Sequence, residues 1–269
     1  YQTNPSNPVR LKEFNQGVGT SMYFDGISGL QSNNIFNRIG LNQFTIECSI
    51  LIDSSISVSY PMNIFSYGRD YNAKDWFQLE VTSTGAIRFC TDRQTGTYVS
   101  SATGVISYNT KYNIAVTRDV DYNLRIFVNG NIVANQVANN CFDSYTTNSG
   151  VSYTAYSNYL TVGQSGPNWN SADASRDGFK GNIENFHYLV GTCQYTSNYT
   201  PTVDETIKLN TISLINVDNT TLTNPNTLVD TTNNITYTNT ECTVQAFANQ
   251  LRPYSIRCQT TSNRLISSV

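Results

Sequence analysis

An all-β, two-sheet antiparallel sandwich is the fold that this sequence predicts, and three observations predict it. Apolar and polar residues alternate over several short runs, most clearly at Phe44, Ile46, Cys48, Ile50 and Ile52, the period of a strand with one face on a core. The runs recur at regular spacing and are broken by Gly, Asn and Ser, which is the pattern of antiparallel strands packed as two sheets. Asn129-Gly130 stands between apolar runs at 124–128 and 132–133. A type I′ turn needs positive φ at both central residues, so this dipeptide is the strongest local hairpin signal.

Taken in order, residues 22–24 read as a first strand, and Asp25-Gly26 turns the chain after it. In 44–52 the face opposite the apolar one carries Thr45, Glu47, Ser49 and Leu51. Phe77, Leu79 and Val81 repeat the period, as do Ile87 with Phe89, and Thr84-Gly85 supplies the turn between these two runs. Ile114 with Val116 follows, then Leu124 with Ile126 and Val128. After Pro201 the character changes: 207–217 reads as a strand, and 219–240 is rich in Thr and Asn.

A chain of 269 residues is long enough to bury a substantial core in one main domain. Charged residues make up 13% against 12% aromatics, with 18 Tyr, a composition that favours strands and polar loops over helices. The net charge of -3 offers no basic field, so nucleic acid is not an expected partner. No apolar run approaches the roughly 20 residues of a spanning helix, so membrane insertion is not expected either. The six cysteines, Cys48, Cys90, Cys141, Cys193, Cys242 and Cys258, lack the close pairs of zinc or thioredoxin-type sites. Their number permits three disulfides in an oxidising compartment and equally permits packed thiols. Cys48, on an apolar strand face, reads as a packed thiol.

Five segments in order carry a resemblance: Met22-Tyr23-Phe24-Asp25-Gly26, Phe44-Thr45-Ile46-Glu47-Cys48, Ile114-Ala115-Val116-Thr117-Arg118-Asp119, Leu124-Arg125-Ile126-Phe127-Val128-Asn129-Gly130 and Phe179-Lys180-Gly181-Asn182-Ile183-Glu184-Asn185-Phe186. A closing stretch, Gly191-Thr192-Cys193-Gln194-Tyr195-Thr196-Ser197-Asn198-Tyr199-Thr200-Pro201, adds to it. Together they resemble the laminin-G-like jelly roll of the concanavalin-A-like lectin and glucanase superfamily, as found in phage and large-virus surface proteins and bacterial adhesins. Two departures are Lys111-Tyr112-Asn113, where a Trp-His pair often stands, and 27–31, which lacks an Asp-Tyr pair. The resemblance implies a jelly roll over residues 1–202, placed outside the cell or on a virion surface, that binds or builds and does not catalyse.

Residues 226–234 resemble the leader that precedes such modules, and the chain opens late in a similar leader, so it reads as a repeat unit cut out of phase. Residues 203–269 are then a C-terminal β extension. It either completes its own sandwich, favoured by the higher effective concentration of an intramolecular segment, or donates strands to a neighbouring subunit in a head-to-tail fibre or capsid-associated assembly.

Three long stretches, 66–75, 139–159 and 164–178, are the expected functional loops. Aromatic faces stack on sugar C–H groups while amides read hydroxyls, which makes Tyr71, Trp76, Tyr153 and Trp169, with Asn168, the candidate glycan contacts. The expected partner is a glycan or a host-surface glycoprotein. No cofactor is required. Calcium, held by oxygen ligands alone, has candidates in Asp70, Asp75, Asp143, Asp173 and Asp177, although loop aspartates equally serve turns. A glycoside hydrolase needs two carboxyl groups flanking the bond, whereas Glu80 is alone on its strand and the resemblance gives Glu184 a role in supporting the fold; no enzyme activity is expected. His187 is the only histidine, and on a regular strand it faces away from Phe186 and Tyr188 as a surface residue. Asn198, Asn219 and Asn234 each begin a glycosylation acceptor pattern.

Overall fold

The structure, a computed structural model, describes residues 10–13, 20–26, 29–32, 39, 42–53, 61–67, 77–92, 97–138, 160–164, 178–201, 211–215, 220–224, 227–230, 235–238, 242–245 and 255–258. Among them there is no helix. The strands are β1 (Arg10–Glu13), β2 (Thr20–Asp25), β3 (Leu30–Ser32), β4 (Phe44–Ile52), β5 (Met62–Tyr67), β6 (Phe77–Val81), β7 (Ile87–Asp92), β8 (Thr97–Ser100), β9 (Lys111–Arg118), β10 (Asn123–Val128), β11 (Asn131–Val137), β12 (Leu160–Val162), β13 (Lys180–Val190), β14 (Thr211–Ile215), β15 (Thr220–Asn224), β16 (Thr227–Asp230), β17 (Ile235–Thr238), β18 (Cys242–Gln245) and β19 (Ser255–Cys258).

Two large antiparallel sheets result, as the alternation predicts. The first runs β1-β2-β13-β4-β9-β10-β11, with β14 also on β13. β13 is long enough for β2 to pair with Lys180–Ile183 while β14 pairs with residues 186–189 along the same edge. The second sheet runs β15-β16-β17-β3-β12-β5-β6-β7-β8, and β18-β19 form a separate two-stranded sheet.

The inner faces meet in an aromatic core. Phe77 is its hub: it stacks on Tyr67 at 5.0 Å, meets Phe65 and Phe89 at 5.8 Å each, and reaches across to Tyr188 of the first sheet at 6.4 Å. Phe65 likewise contacts Phe186 at 5.6 Å. Tyr67 was expected in a loop beginning at residue 66. It is instead the buried last residue of β5, because its ring completes this cluster.

The turns follow local chemistry. Asn129 and Gly130 have φ of 50° and 78°, the two positive values of the predicted hairpin between β10 and β11. Between β9 and β10, Asp119 organises the turn: Oδ1 accepts from the backbone N–H groups of Asp121 (3.0 Å) and Asn123 (2.9 Å), and Oδ2 accepts from the Arg125 guanidinium at 2.7 Å. Burial alone would raise the Asp119 carboxyl, but the hydrogen bonds from Arg125 and Asn123 outweigh it and hold the group below its ordinary value. Arg118, fully buried, donates to the Asn42 carbonyl at 2.7 Å and lies over the Phe44 ring at 5.4 Å. The Thr117-Arg118-Asp119 motif is therefore accounted for by architecture.

β13 departs from a regular strand. Glu184 pairs with Ser49 and His187 with Glu47, so two residues of β13 stand opposite Cys48 alone, and Asn185 takes a φ of 49°. This bulge shifts the alternation by one residue. Ile183, Phe186 and Tyr188 all reach full burial as a result.

The outer face of the first sheet was expected to be solvated, with His187 on the surface. It is covered. Residues 192–201 run back across it as a strap, held by Thr45 Oγ1 donating to the Thr192 carbonyl and accepting from Gln194 N (2.9 Å each), and by Thr117 Oγ1 donating to the Tyr195 carbonyl at 2.8 Å. Tyr195 and Tyr199 stack at 3.7 Å with Phe127 edge-on to both, and Tyr195 Oη donates to Glu47 Oε2 at 2.8 Å. Beneath this strap His187 is only 1% exposed, with Nδ1 3.0 Å from Glu47 Oε1. The histidine does face away from Phe186 and Tyr188, but strap and carboxylate bury it.

Candidate functional site

β5 and β6 are buried along their whole lengths, although alternation gives each strand only one side to the core. The outer side of the second sheet holds a polar cluster. Register sets Thr161 beside Ser66, Ser66 beside Gln78, Asn63 and Arg88 on either side of Glu80, and Ser100 beside Arg88. Ser66, Gln78, Glu80, Asn63 and Thr161 are all buried.

The cluster is knit by short polar contacts. Ser66 Oγ and Thr161 Oγ1 lie 2.5 Å apart, one donating to the other, and both lie within hydrogen-bond distance of the Gln164 carbonyl, at 3.1 and 2.9 Å, to which the other hydroxyl donates. Gln164 therefore starts the segment 165–177 on this face. Gln78 Nε2 donates to Glu80 Oε2 at 2.5 Å, and Arg88 Nε forms an ion pair with Glu80 Oε1. The Arg88 guanidinium lies 4.3 Å from the centre of the Tyr98 ring, a cation–π contact. The face opens to solvent on this side, where the Arg88 side chain is 26% exposed and Ser100 is exposed.

One atom of the cluster stands out. Gln78 Oε1 is buried and has no hydrogen-bond partner. Its orientation is not arbitrary: a carboxylate ion-paired with arginine only accepts, so the amide must present Nε2 to Glu80 and leave Oε1 turned away. A buried acceptor left without a donor costs on the order of 1–3 kcal/mol. Glu184 Oε1, on the first sheet, is also buried without a partner, while Glu184 Oε2 accepts from Lys111 Nζ at 2.6 Å.

The candidate contacts named from sequence fall outside the described residues. This holds for Tyr71, Trp76, Tyr153, Asn168 and Trp169, for Asp70, Asp75, Asp143, Asp173 and Asp177, and for Asn219 and Asn234. Their segments are rooted on described strands, however. Residues 68–76 leave from Tyr67 and return at Phe77, and 139–159 return at Leu160, which pairs with Tyr67. Both segments thus join the same end of the second sheet. Residues 165–177 are rooted elsewhere, between Gln164 and Gly178, where Phe179 N donates to the Gly163 carbonyl and Gly178 bridges Asn63. Asn198 is described: it is exposed on the strap, and its Oδ1 accepts from Ile132 N at 2.9 Å. No three metal-ligating side chains converge among the described residues.

Sequence reasoning passed over Gln78, Arg88, Ser66 and Thr161. A signal was present in Gln78 and Glu80, which alternate with Phe77, Leu79 and Val81. The described free thiols, Cys48 and Cys193, are both pushed up in pKa by burial, so neither is activated as a nucleophile.

No family model matches the sequence, and no curated protein sequence matches it. Solved structures do. A proposed carbohydrate-binding protein from Bacteroides ovatus ATCC 8483 is similar over 93% of this chain, with a TM-score of 0.57 at 14% identity. This chain spans 62% of that protein's length. The enzymatically active domain of tailspike protein 2 from bacteriophage CBA120 is similar over 79% of this chain and 32% of its own, with a TM-score of 0.51 at 13% identity. A weaker likeness, with a TM-score of 0.45 at 13% identity, covers 71% of this chain and 95% of the Ruminococcus gnavus IT-sialidase CBM40 bound to α2,3-sialyllactose. At these identities the likeness extends to the β-sandwich fold.

Proposed function

We propose that this chain is a non-catalytic carbohydrate-binding sandwich of the laminin-G-like, concanavalin-A-like kind, working as an adhesion or structural module outside the cell or on a virion surface. The observation that carries the reading is the buried, unpartnered acceptor of Gln78 within a polar cluster on the outer face of the second sheet. Hydroxyl-rich ligands supply many donors in fixed geometry, and such a cluster suits them. Tyr71, Trp76, Tyr153 and Trp169, with Asn168, add stacking and amide contacts from the loops. Similarity in fold to a proposed carbohydrate-binding protein supports the same reading.

Binding is favoured over hydrolysis because Glu80 is the one carboxylate among the described side chains of this cluster, and both its oxygens are engaged by Gln78 and Arg88. A glycosidase needs a second carboxyl group about 5–10 Å away. The C-terminal extension, residues 203–269, is proposed to complete its own sandwich. That reading is supported by β14 lying on β13 and β17 on β3.

A glycan array probed with the purified chain and with Gln78→Met tests the proposal. The wild type is expected to bind a defined set of glycans and to release no reducing sugar from them. Gln78→Met keeps the volume and removes the acceptor, and is expected to lower affinity about tenfold, the worth of one buried hydrogen bond. Its stability should fall by about 1–3 kcal/mol, because the buried Glu80 Oε2 loses its donor, so the two proteins are compared at a temperature where both are folded. Equal binding by both proteins would place the ligand elsewhere, and release of reducing sugar would replace the binding reading with an enzymatic one.

A further inference from the structure

We propose that Cys242 and Cys258 form a disulfide that closes the C-terminal two-stranded sheet into a covalent ring. β18 and β19 pair antiparallel with Cys242 directly opposite Cys258, Thr243 opposite Arg257, Val244 opposite Ile256 and Gln245 opposite Ser255. Directly opposed residues of antiparallel strands have Cα atoms about 4.5–5.5 Å apart, inside the roughly 4.4–6.8 Å that a disulfide spans. The backbone register therefore brings the two cysteines within the Cα separation that a disulfide spans.

Their place in the sheet gives the bond a purpose. Cys242 is the first residue of β18 and Cys258 the last of β19, so the pair sits at the open end, farthest from the connecting segment 246–254. A two-stranded sheet is marginal by itself, and its ends are where it opens first. β18 and β19 form a sheet of their own, separate from the two large ones. A cross-link at the open end holds both strands in register and encloses residues 243–257.

Two of the other thiols are accounted for. Cys48 points into the core from β4, and Cys193 belongs to the strap on the other side of the first sheet, with Sγ 3.5 Å from the Tyr195 carbonyl; both are free. Cys90, in β7 of the second sheet, stands opposite Gln78 and Tyr98 in register.

The step is a thiol–disulfide exchange with a disulfide oxidant such as oxidised glutathione. The Cys242–Cys258 S–S bond forms as both S–H bonds are lost. The oxidant's S–S bond breaks, taking up the two electrons, and its two sulfurs receive the two protons as thiols.

The test is peptide mapping of the full chain equilibrated with a mixture of oxidised and reduced glutathione, alkylated under denaturing conditions without reductant, and digested with trypsin. Arg252 precedes Pro253 and is not cut, whereas cleavage after Lys208, Arg257 and Arg264 places the two cysteines on separate peptides, 209–257 and 258–264. The expected product is these two peptides joined, separating on reduction, with Cys48 and Cys193 alkylated. In Cys242→Ser, alkylation of Cys258 should rise from trace to nearly complete with no new disulfide formed. Alkylation of both Cys242 and Cys258 in the wild type, or a link from either to Cys90 or Cys141, would overturn the assignment.

Discussion

Replacing Phe77 with alanine is expected to lower the unfolding free energy by about 3–5 kcal/mol, the range for removing a fully buried phenylalanine. Phe77 is 1% exposed and touches the rings of Phe65, Tyr67 and Phe89 within its own sheet and Tyr188 across the core. Its removal forfeits transfer energy and leaves a cavity that rigid aromatic neighbours fill poorly, so the cost belongs at the upper part of that range. Denaturant unfolding reads it as a fall in the midpoint at constant slope. Phe77→Leu, which keeps most of the volume, should cost clearly less.

A second large effect is expected at Gly130. A Cβ there would stand 1.8 Å from the Tyr199 carbonyl oxygen, which is backbone and cannot rotate away. Gly130→Ala must therefore lift the strap, with loss of the Tyr199 N to Gly130 O bond and of the contact from Ile132 N to Asn198. Gly104 provides the control: its φ of 75° matches the 78° of Gly130, but an added Cβ meets nothing within 4 Å. Gly104→Ala should cost only the conformational term, on the order of 1 kcal/mol, whereas Gly130→Ala should cost about 3 kcal/mol, consistent with strain and lost bonds acting together. Thermal unfolding of the two variants side by side measures the difference. Near-equal losses would mean that the strap is not held where the geometry puts it.

The strap and the cluster differ in how far the sequence betrays them. The strand β4 and the β10–β11 hairpin are readable directly, because side-chain alternation and Asn-Gly turn chemistry act over a few residues. The burial of His187 is not. It depends on a bulge at Asn185 that shifts the phase of β13, and on Tyr195 and Tyr199 returning to meet Phe127 edge-on, about 70 positions after it. Arg118 illustrates the same limit, since a charged residue at the end of an apolar run reads as solvated until the Asn42 carbonyl and the Phe44 ring come to meet it.

Of the candidate site, the aromatics Tyr71, Trp76, Tyr153 and Trp169 are nominated by the long stretches in or beside which they stand and by the fit of aromatic faces to sugar C–H groups. Gln78 and Glu80 are legible as an outward pair on β6. What makes them a site is invisible at that level. Arg88 arrives from the neighbouring strand, Ser66 and Thr161 come from positions 95 residues apart that meet on one face, and only their combined geometry leaves Gln78 Oε1 without a donor. Local rules fix strands and turns, whereas a binding face is assembled by register between distant strands.

The most direct test of the central proposal is the crystal structure of the chain soaked with the glycan that binds best on the array. The account predicts sugar density on the outer face of the second sheet, with a hydroxyl within hydrogen-bond distance of Gln78 Oε1 and the ligand reaching toward Arg88. Density elsewhere, such as against the strap on the first sheet, with Gln78 Oε1 still without a donor, would contradict it.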